Sequence, residues 1–351
     1  MVDLHSTLFV SINPRDYSRT ATILNSNEFS QVKFHQITPK IKSIIKFSKQ
    51  VRQAGIKTIV VASPSHILVP FIHVLTKARI VLDAGWPLSD SNFTRGRNSK
   101  FIILAFKNRI IDFLAFKMAN IVFLESHLQK KKCSAKYSRE SKKFHVSYTG
   151  VDETKYVNLQ IDEDYFKSLM LPIGNKTIFF RAKINQEAGY EFLGQVSYFL
   201  PENISLIICT GGQHINYEFA KNTIILSTWL SAIQLRTLYL KSDLVLGQLS
   251  YHQRLSRTIP HKFYEAAYFG KALVTFENLG LLELVDQSEV IFLKSSTPEY
   301  FAKSIELLFE SPAELSNYGN YLLQKQIKLF SQEKIAKNFL EIISAHGGVG
   351  Y

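Results

Sequence analysis

Residues 258–280 read TIPHKFYEAAYFGKALVTFENLG, and the order of residue types there spells helix, strand, turn and helix. Pro260 suits a first helical position, because its missing N–H has no partner to lose there, and Gly270 suits the left-handed residue that closes a helix. The helix is therefore expected over about 260 to 269. Ala272-Leu273-Val274-Thr275 follows as a short apolar run of the kind a buried parallel strand shows. Asn278 and Gly280 then turn the chain into LLELV, read as the start of another helix. Ahead of the stretch stands DLVLG (243–247), a second buried strand. The loop 248–259 thus leaves a strand's carboxyl end and enters a helix amino end, which is where open α/β sheets bind ligands. One carboxylate, Glu265, sits one turn inside that helix.

The same alternation extends in both directions. In the first half, TLFVSI (7–12), VKFHQI (32–37), KTIVVAS (57–63), RIVLDAG (79–85), NIVFLES (120–126) and FHVSYTG (144–150) read as strands with helical stretches between them. In the second half, KTIFFRA (176–182), ISLIICTGG (204–212), NTIILS (222–227), DLVLG, ALVTF (272–276) and VIFLK (290–294) repeat the scheme, and the chain ends in helices. Strands alternating with helices indicate βαβ units and parallel sheets. The polar segment TGVDETKYVNLQ (149–160) is the expected linker, so the chain divides into a domain of residues 1–150 and one of 151–351, both α/β and doubly wound.

With 351 residues, 46% hydrophobic and 20% charged, the chain has the composition of a folded protein with sizeable cores, which excludes disorder. Its two cysteines, Cys133 and Cys209, are too few for a disulfide framework and lack metal-ligand spacing, which fits a reducing compartment. The chain opens without a basic leader, so a cytoplasmic location is expected. The most apolar segment, 101–125, is interrupted by Lys107, Arg109, Asp112 and Lys117, and so fails as a membrane span. Charge is uneven. Residues 1–175 hold 26 Lys and Arg against 13 Asp and Glu, while residues 176–351 hold 16 of each. One half is built to meet an anionic partner and the other is not.

Five segments in series, TGVDETKYV, FFRAKINQEAGYEFL, STWLSAIQLRTLYLKSDLVLGQLS, PHKFYEAAYFGKALVT and LGLLELV, resemble glycosyltransferase family 4 in residues and in spacing, over about 145–310. ASPSHILVPFIHVLTKARIVLDAGWPLSD is similar to that family's strand, helix and strand leading to an Asp-bearing loop, which marks Asp83 as a candidate catalytic residue. The resemblance implies a GT-B fold, with two Rossmann-like domains facing across a cleft. It also implies transfer of a sugar from a nucleotide-sugar donor, retention of configuration and no metal cofactor.

A nucleotide sugar offers a diphosphate and a ribose diol, so a carboxylate with nearby cations is the chemical minimum for holding it. The resemblance gives Glu265 the ribose hydroxyls, the alternative being a solvated helix carboxylate. Eight positions earlier, where the family commonly has a second glutamate, this chain has Arg257. The family's phosphate clamp of Arg and Lys maps to Lys183 and Ala188, so half of it is missing, and Arg181 or Lys262 would supply the second charge. Gly211 and Gly212 permit close backbone approach, or simply turn the chain. Trp229 falls where the family's base-binding loop lies, or else is a buried packing residue. Lys183, Lys262 and Asp83 are thus the candidate catalytic residues, and Glu265, Arg181, Lys183, Lys262, Gly211 and Trp229 the candidate donor site.

Asp162-Glu163-Asp164 imitates a metal-binding Asp-x-Asp but follows no strand, and His66 and His73 read as structural. On helix 40–54, at 100° per residue, Lys42, Lys46, Lys49 and Arg52 share one arc of ~120° opposite Ile44, Phe47, Val51 and Ala54. That stripe, together with residues 129–143, either rests on an anionic membrane surface at the cytoplasmic side or is a solvated face. The expected partners are a nucleotide sugar and a polysaccharide, lipopolysaccharide or lipid-linked acceptor. A non-catalytic nucleotide- or glycan-binding protein of the same fold is the first rival. A basic nucleic-acid-binding protein is the second, although no recognition module is present.

Overall fold

The structure, a computed structural model, describes residues 3–93, 99–137, 141–293 and 297–346. The chain divides into two compact units, one of residues 1–152 with 330–351 and the other of residues 153–329.

The first unit runs β1 (Thr7–Ser11), α1 (Ser18–Leu24), β2 (Lys33–Gln36), α2 (Ile41–Gln53), β3 (Thr58–Ala62), α3 (Leu68–Leu75), β4 (Arg79–Gly85), α4 (Leu88–Phe93), α5 (Ser99–Met118), β5 (Ile121–Leu124), α6 (His127–Tyr137) and β6 (Phe144–Val146). Its six strands form one parallel sheet in the order β2-β1-β3-β4-β5-β6. TIVVA of β3 and IVFL of β5 are buried along their whole length, as parallel strands with helices on both faces require.

The second unit contains α7 (Glu163–Ser168), β7 (Lys176–Arg181), α8 (Tyr190–Ser197), β8 (Ile204–Cys209), β9 (Thr223–Leu226), α9 (Ala232–Lys241), β10 (Leu244–Leu246), α10 (His261–Tyr268), β11 (Leu273–Phe276), β12 (Ile291–Leu293), α11 (Pro298–Phe309) and α12 (Pro312–Lys325). Its sheet, also parallel, has the order β12-β11-β10-β7-β8-β9. This is the doubly wound order with its reversal between β7 and β10, so a crevice opens at the carboxyl ends of those two strands.

All twelve expected strands form. The runs 144–150 and 204–212 end early, at Val146 and Cys209, and Gly150, Gly211 and Gly212 beyond them adopt positive φ. The helix expected at 260–269 is α10, with Gly270 left-handed just beyond it, but Pro260 caps the helix from outside with an extended ψ of 137° instead of occupying its first turn. LLELV forms a 3-10 turn, Leu281–Glu283, in place of a longer helix. Its start is fixed by Asn278 Oδ1, which accepts from Leu281 N. Asp162, from the metal-like triplet, caps α7 by accepting from Tyr165 N at 2.9 Å.

One assignment is corrected. The terminal helix α13 (Gln332–Ala345) belongs to the first unit, not to the domain expected at 151–351. Aromatic packing holds it there. The Phe339 ring stacks on Phe123 at 4.1 Å and meets Phe9 and Phe29 at 6.3 and 6.0 Å. The chain returns through a π-helical turn, Gln326–Phe330.

Candidate functional site

The crevice of the second unit holds a cavity of about 310 Å³. Its lining comes from separate segments: Arg181 at the end of β7, Ala182, Lys183, Asn185 and Ala188 after it, Gly211 after β8, Trp229 after β9, Gln248 after β10, and His261, Lys262 and Glu265 on α10. Six residues expected at a donor site, Arg181, Lys183, Gly211, Trp229, Lys262 and Glu265, therefore share one wall. Asp83 is not among them.

Glu265 is only 3% exposed and held on two sides. Arg181 Nη1 pairs with Oε1, and the Tyr239 hydroxyl donates to Oε2 at 2.7 Å. His261 Nδ1 lies 3.5 Å from Oε1, one turn earlier on the same helix. Burial alone would raise the carboxyl's pKa, but Arg181, His261 and the Tyr239 hydroxyl together hold it well below the usual carboxylate range. Glu265 is thus a fixed anion. A carboxylate has about four lone-pair directions, so two remain for further donors.

Lys262 is also buried. Its Nζ donates to Gly247 O at 2.9 Å and to Gln248 Oε1 at 3.1 Å, and lies 4.0 Å from the Phe180 ring centroid. Burial pushes this ammonium down to about 7, with Arg181 acting in the same direction and Glu265 opposing both. Lys183, by contrast, is exposed at the cavity rim. The lining carries three Lys or Arg side chains and one carboxylate, so it favours an anionic guest.

The loops after β7 and β10 are tied to each other. Ser250 Oγ donates to Glu187 O at 2.8 Å, and Arg254 Nη1 reaches both Glu187 oxygens at 2.9 and 3.1 Å. Gly189, at φ 80°, lies where a Cβ would come within 2.2 Å of Leu249 O. Ala188, at the missing cation's position, is buried at the foot of this joint and lines the cavity. Arg257 is absent from the lining and donates instead to Ser256 Oγ at 3.2 Å.

Trp229 is not a buried packing residue. It is 70% exposed, and its indole lies over the Gly211-Gly212 turn, where a Cβ on Gly212 would meet Nε1 at 2.4 Å. The glycine pair makes room for the ring, which leaves a flat aromatic surface at the cavity edge.

Asp83 is corrected as a catalytic candidate. It is fully buried in the first unit, and its Oδ1 takes Arg19 Nε at 2.8 Å and Nη2 at 2.6 Å. Asp83 serves Arg19 as counter-ion and does not line the cavity of the second unit. Asn185, Gln248, His261 and Tyr239 were missed in the sequence. Tyr239 projects from α9, 26 residues before Glu265, and no local pattern ties the two together.

Comparison with protein-family profiles finds no match, and comparison with curated proteins finds none either. Solved structures do match. Anabaena Alr3699/HepE in complex with UDP-glucose aligns with a TM-score of 0.75 at 14% identity, covering 97% of this chain and 99% of that one. A glycosyltransferase from Rickettsia africae ESF-5 aligns at 0.71 and 12% identity, covering 98% and 99%. Sucrose-phosphate synthase from Thermosynechococcus elongatus aligns at 0.67 and 12%, covering 89% and 82%. At such identities the likeness speaks for the fold, and the fold is GT-B.

Proposed function

We propose that this chain is a glycosyltransferase of the hexosyl type that takes a sugar from a nucleoside-diphosphate donor, retains its anomeric configuration and passes it to a polysaccharide, lipopolysaccharide or lipid-linked acceptor. The observation that carries the reading is the convergence of Arg181, Lys183, Gly211, Trp229, Lys262 and Glu265 on one cavity at the reversal of a doubly wound sheet. In this reading Glu265 accepts from the ribose hydroxyls and Trp229 offers its face to the base. Lys183 and Lys262 lie against the diphosphate. When the bond from the anomeric carbon to the diphosphate oxygen breaks, the electron pair stays on the phosphate, and the Lys183 and Lys262 ammonium groups stabilise that charge as it develops. Arg181 acts mainly through Glu265, which it holds ionised. Alr3699/HepE is described with UDP-glucose, with UDP and glucose, and with UDP, which makes uridine donors the first class to try.

Melting the protein with a panel of nucleoside diphosphates tests the donor half. A bound diphosphate at 100 times its Kd stabilises by about 2.7 kcal/mol, and a panel in which none shifts the transition would remove the reading. Binding without transfer to any acceptor of the three classes would favour a non-catalytic relative, the rival that Ala188 and Arg257 at two motif positions support.

A further inference from the structure

The first unit carries 26 Lys and Arg against 11 Asp and Glu over its sequence ranges, and its apolar surface is as uneven as its charge. The steps β2 to β3, β3 to β4, β4 to β5 and β5 to β6 all advance in one direction along the sheet. Right-handed crossovers therefore set α2, α3, α5 and α6 on the same face, where α2 packs on α3, α3 on α5 and α5 on α6. The outward side of that layer is greasy. α5 exposes Ile102, Ile103, Leu104, Phe106, Ile110 and Phe113, with Ile103 at 70% and Phe106 at 63%. All but Leu104 fall within about 100° of arc, opposite the buried Ala105, Asp112, Ala115 and Phe116. α3 adds Phe71 and Val74, and α2 adds Ile41 and Ile45.

Cations are interleaved with this face. Lys107, Arg109 and Lys117 are exposed along α5, Lys117 sits 5.8 Å from the Phe113 ring centroid, and Lys42, Lys46 and Lys49 are exposed on α2. The one acid in the α5 sequence is withdrawn from it: Asp112 points inward and accepts from Leu88 N and Ser89 N, both at 2.9 Å, at the start of α4. No helix among the described residues is long and apolar enough to cross a membrane, yet α5, at about 30 Å, is long enough to lie in the plane of one.

We propose that the outer face of α5, with the exposed edges of α2 and α3, is an interfacial docking surface for an anionic lipid bilayer, into which Ile103, Phe106, Ile110 and Phe113 insert while the flanking Lys and Arg meet lipid phosphates. The charge selects this occupant over a second copy of the chain. Pairing two such faces would press like-charged lysines together, whereas an anionic headgroup layer neutralises them and the acyl boundary takes the isoleucines and phenylalanines. The placement also revises the stripe seen in the sequence, since Lys42, Lys46 and Lys49 become the electrostatic margin of a surface whose inserting residues lie mainly on α5. The inference goes beyond the transferase reading and stands without it.

Flotation of the full chain with phosphatidylcholine–phosphatidylglycerol vesicles, against phosphatidylcholine alone, tests it. Binding to the mixed vesicles is expected. Ile103→Asp with Phe106→Asp should lower the partition by about a hundredfold, about tenfold for each inserted side chain. Because both residues are exposed, the variant's melting transition should match the parent's. Lys42→Glu with Lys46→Glu and Lys49→Glu should remove the salt-sensitive part of the binding and leave the remainder. The proposal is overturned if the Ile103/Phe106 variant floats as the parent does, or if the parent ignores both vesicles. Sedimentation showing a dimer that this variant dissolves would give the face to a second copy and overturn it equally.

Discussion

Replacing Glu265 with alanine should cost the second unit stability as well as ligand. The side chain is buried, and both of its oxygens are occupied. Removal leaves the Tyr239 hydroxyl, fully buried on α9, without its acceptor, which costs about 1–3 kcal/mol. It also leaves Arg181 without its counter-ion. A fully buried broken pair costs about 3–5 kcal/mol, but the Arg181 side chain is 30% exposed, so water recovers part of that. A total near 3 kcal/mol is expected for a unit spanning residues 153–329, a depression of roughly 6–12 °C in its melting transition at this size. Binding of a nucleoside diphosphate should weaken by about 1.5–3 kcal/mol, the scale of hydrogen bonds to a charged group. Titration calorimetry well below the transition separates the two effects. Glu265→Gln supplies the control, since it keeps an acceptor for Tyr239 and loses only the charge, so it should melt between parent and alanine variant. An unchanged melting transition in Glu265→Ala would refute the account of the buried pair, and unchanged affinity would take Glu265 out of the site.

Further expectations follow from the cavity wall. Lys183→Ala should weaken nucleoside diphosphate binding by about 1 kcal/mol or more while barely changing binding of the bare nucleoside; equal losses for both ligands would mean that Lys183 acts through structure. Lys262 sits near 7 in the folded state against 10.5 ordinarily. The unfolded chain therefore binds more protons between those values, and stability should rise with pH across that window. A diphosphate against Lys262 would draw a proton back onto it, so its affinity should fall as pH rises through and above 7. Calorimetry in buffers of different ionisation enthalpy should register proton uptake on binding, and its absence would put Lys262 away from the phosphates. Gly212→Ala should displace the Trp229 indole, because φ is 81° there and the new Cβ would meet Nε1 at 2.4 Å. If that indole stacks on the base, the variant loses about 1–3 kcal/mol of nucleoside affinity, and an unchanged nucleoside affinity would leave Trp229 as surface only.

The sequence by itself determined the twelve strands, the helix carrying Glu265 and the crevice end at which it lies. Those features are written in short-range order: apolar runs of strand length, a proline before a helix and a glycine after it, each acting within a few residues. What the tertiary structure decided depends on residues far apart in the chain. Asp83 is enclosed because Arg19, 64 positions earlier, reaches it. Residues 332–345 join the first unit because Phe339 completes an aromatic cluster with Phe9, Phe29 and Phe123, and nothing near Phe339 in sequence shows that cluster. Trp229 is exposed because Gly211 and Gly212 clear a place for it on the surface. The face of α5 was hidden most completely, since apolar residues surround that helix on all sides and a periodic pattern cannot tell which side meets the core. Only the packing of α3, α4 and α6 against it selects Ala105, Ala115 and Phe116 for burial and leaves Ile103 and Phe106 in the open.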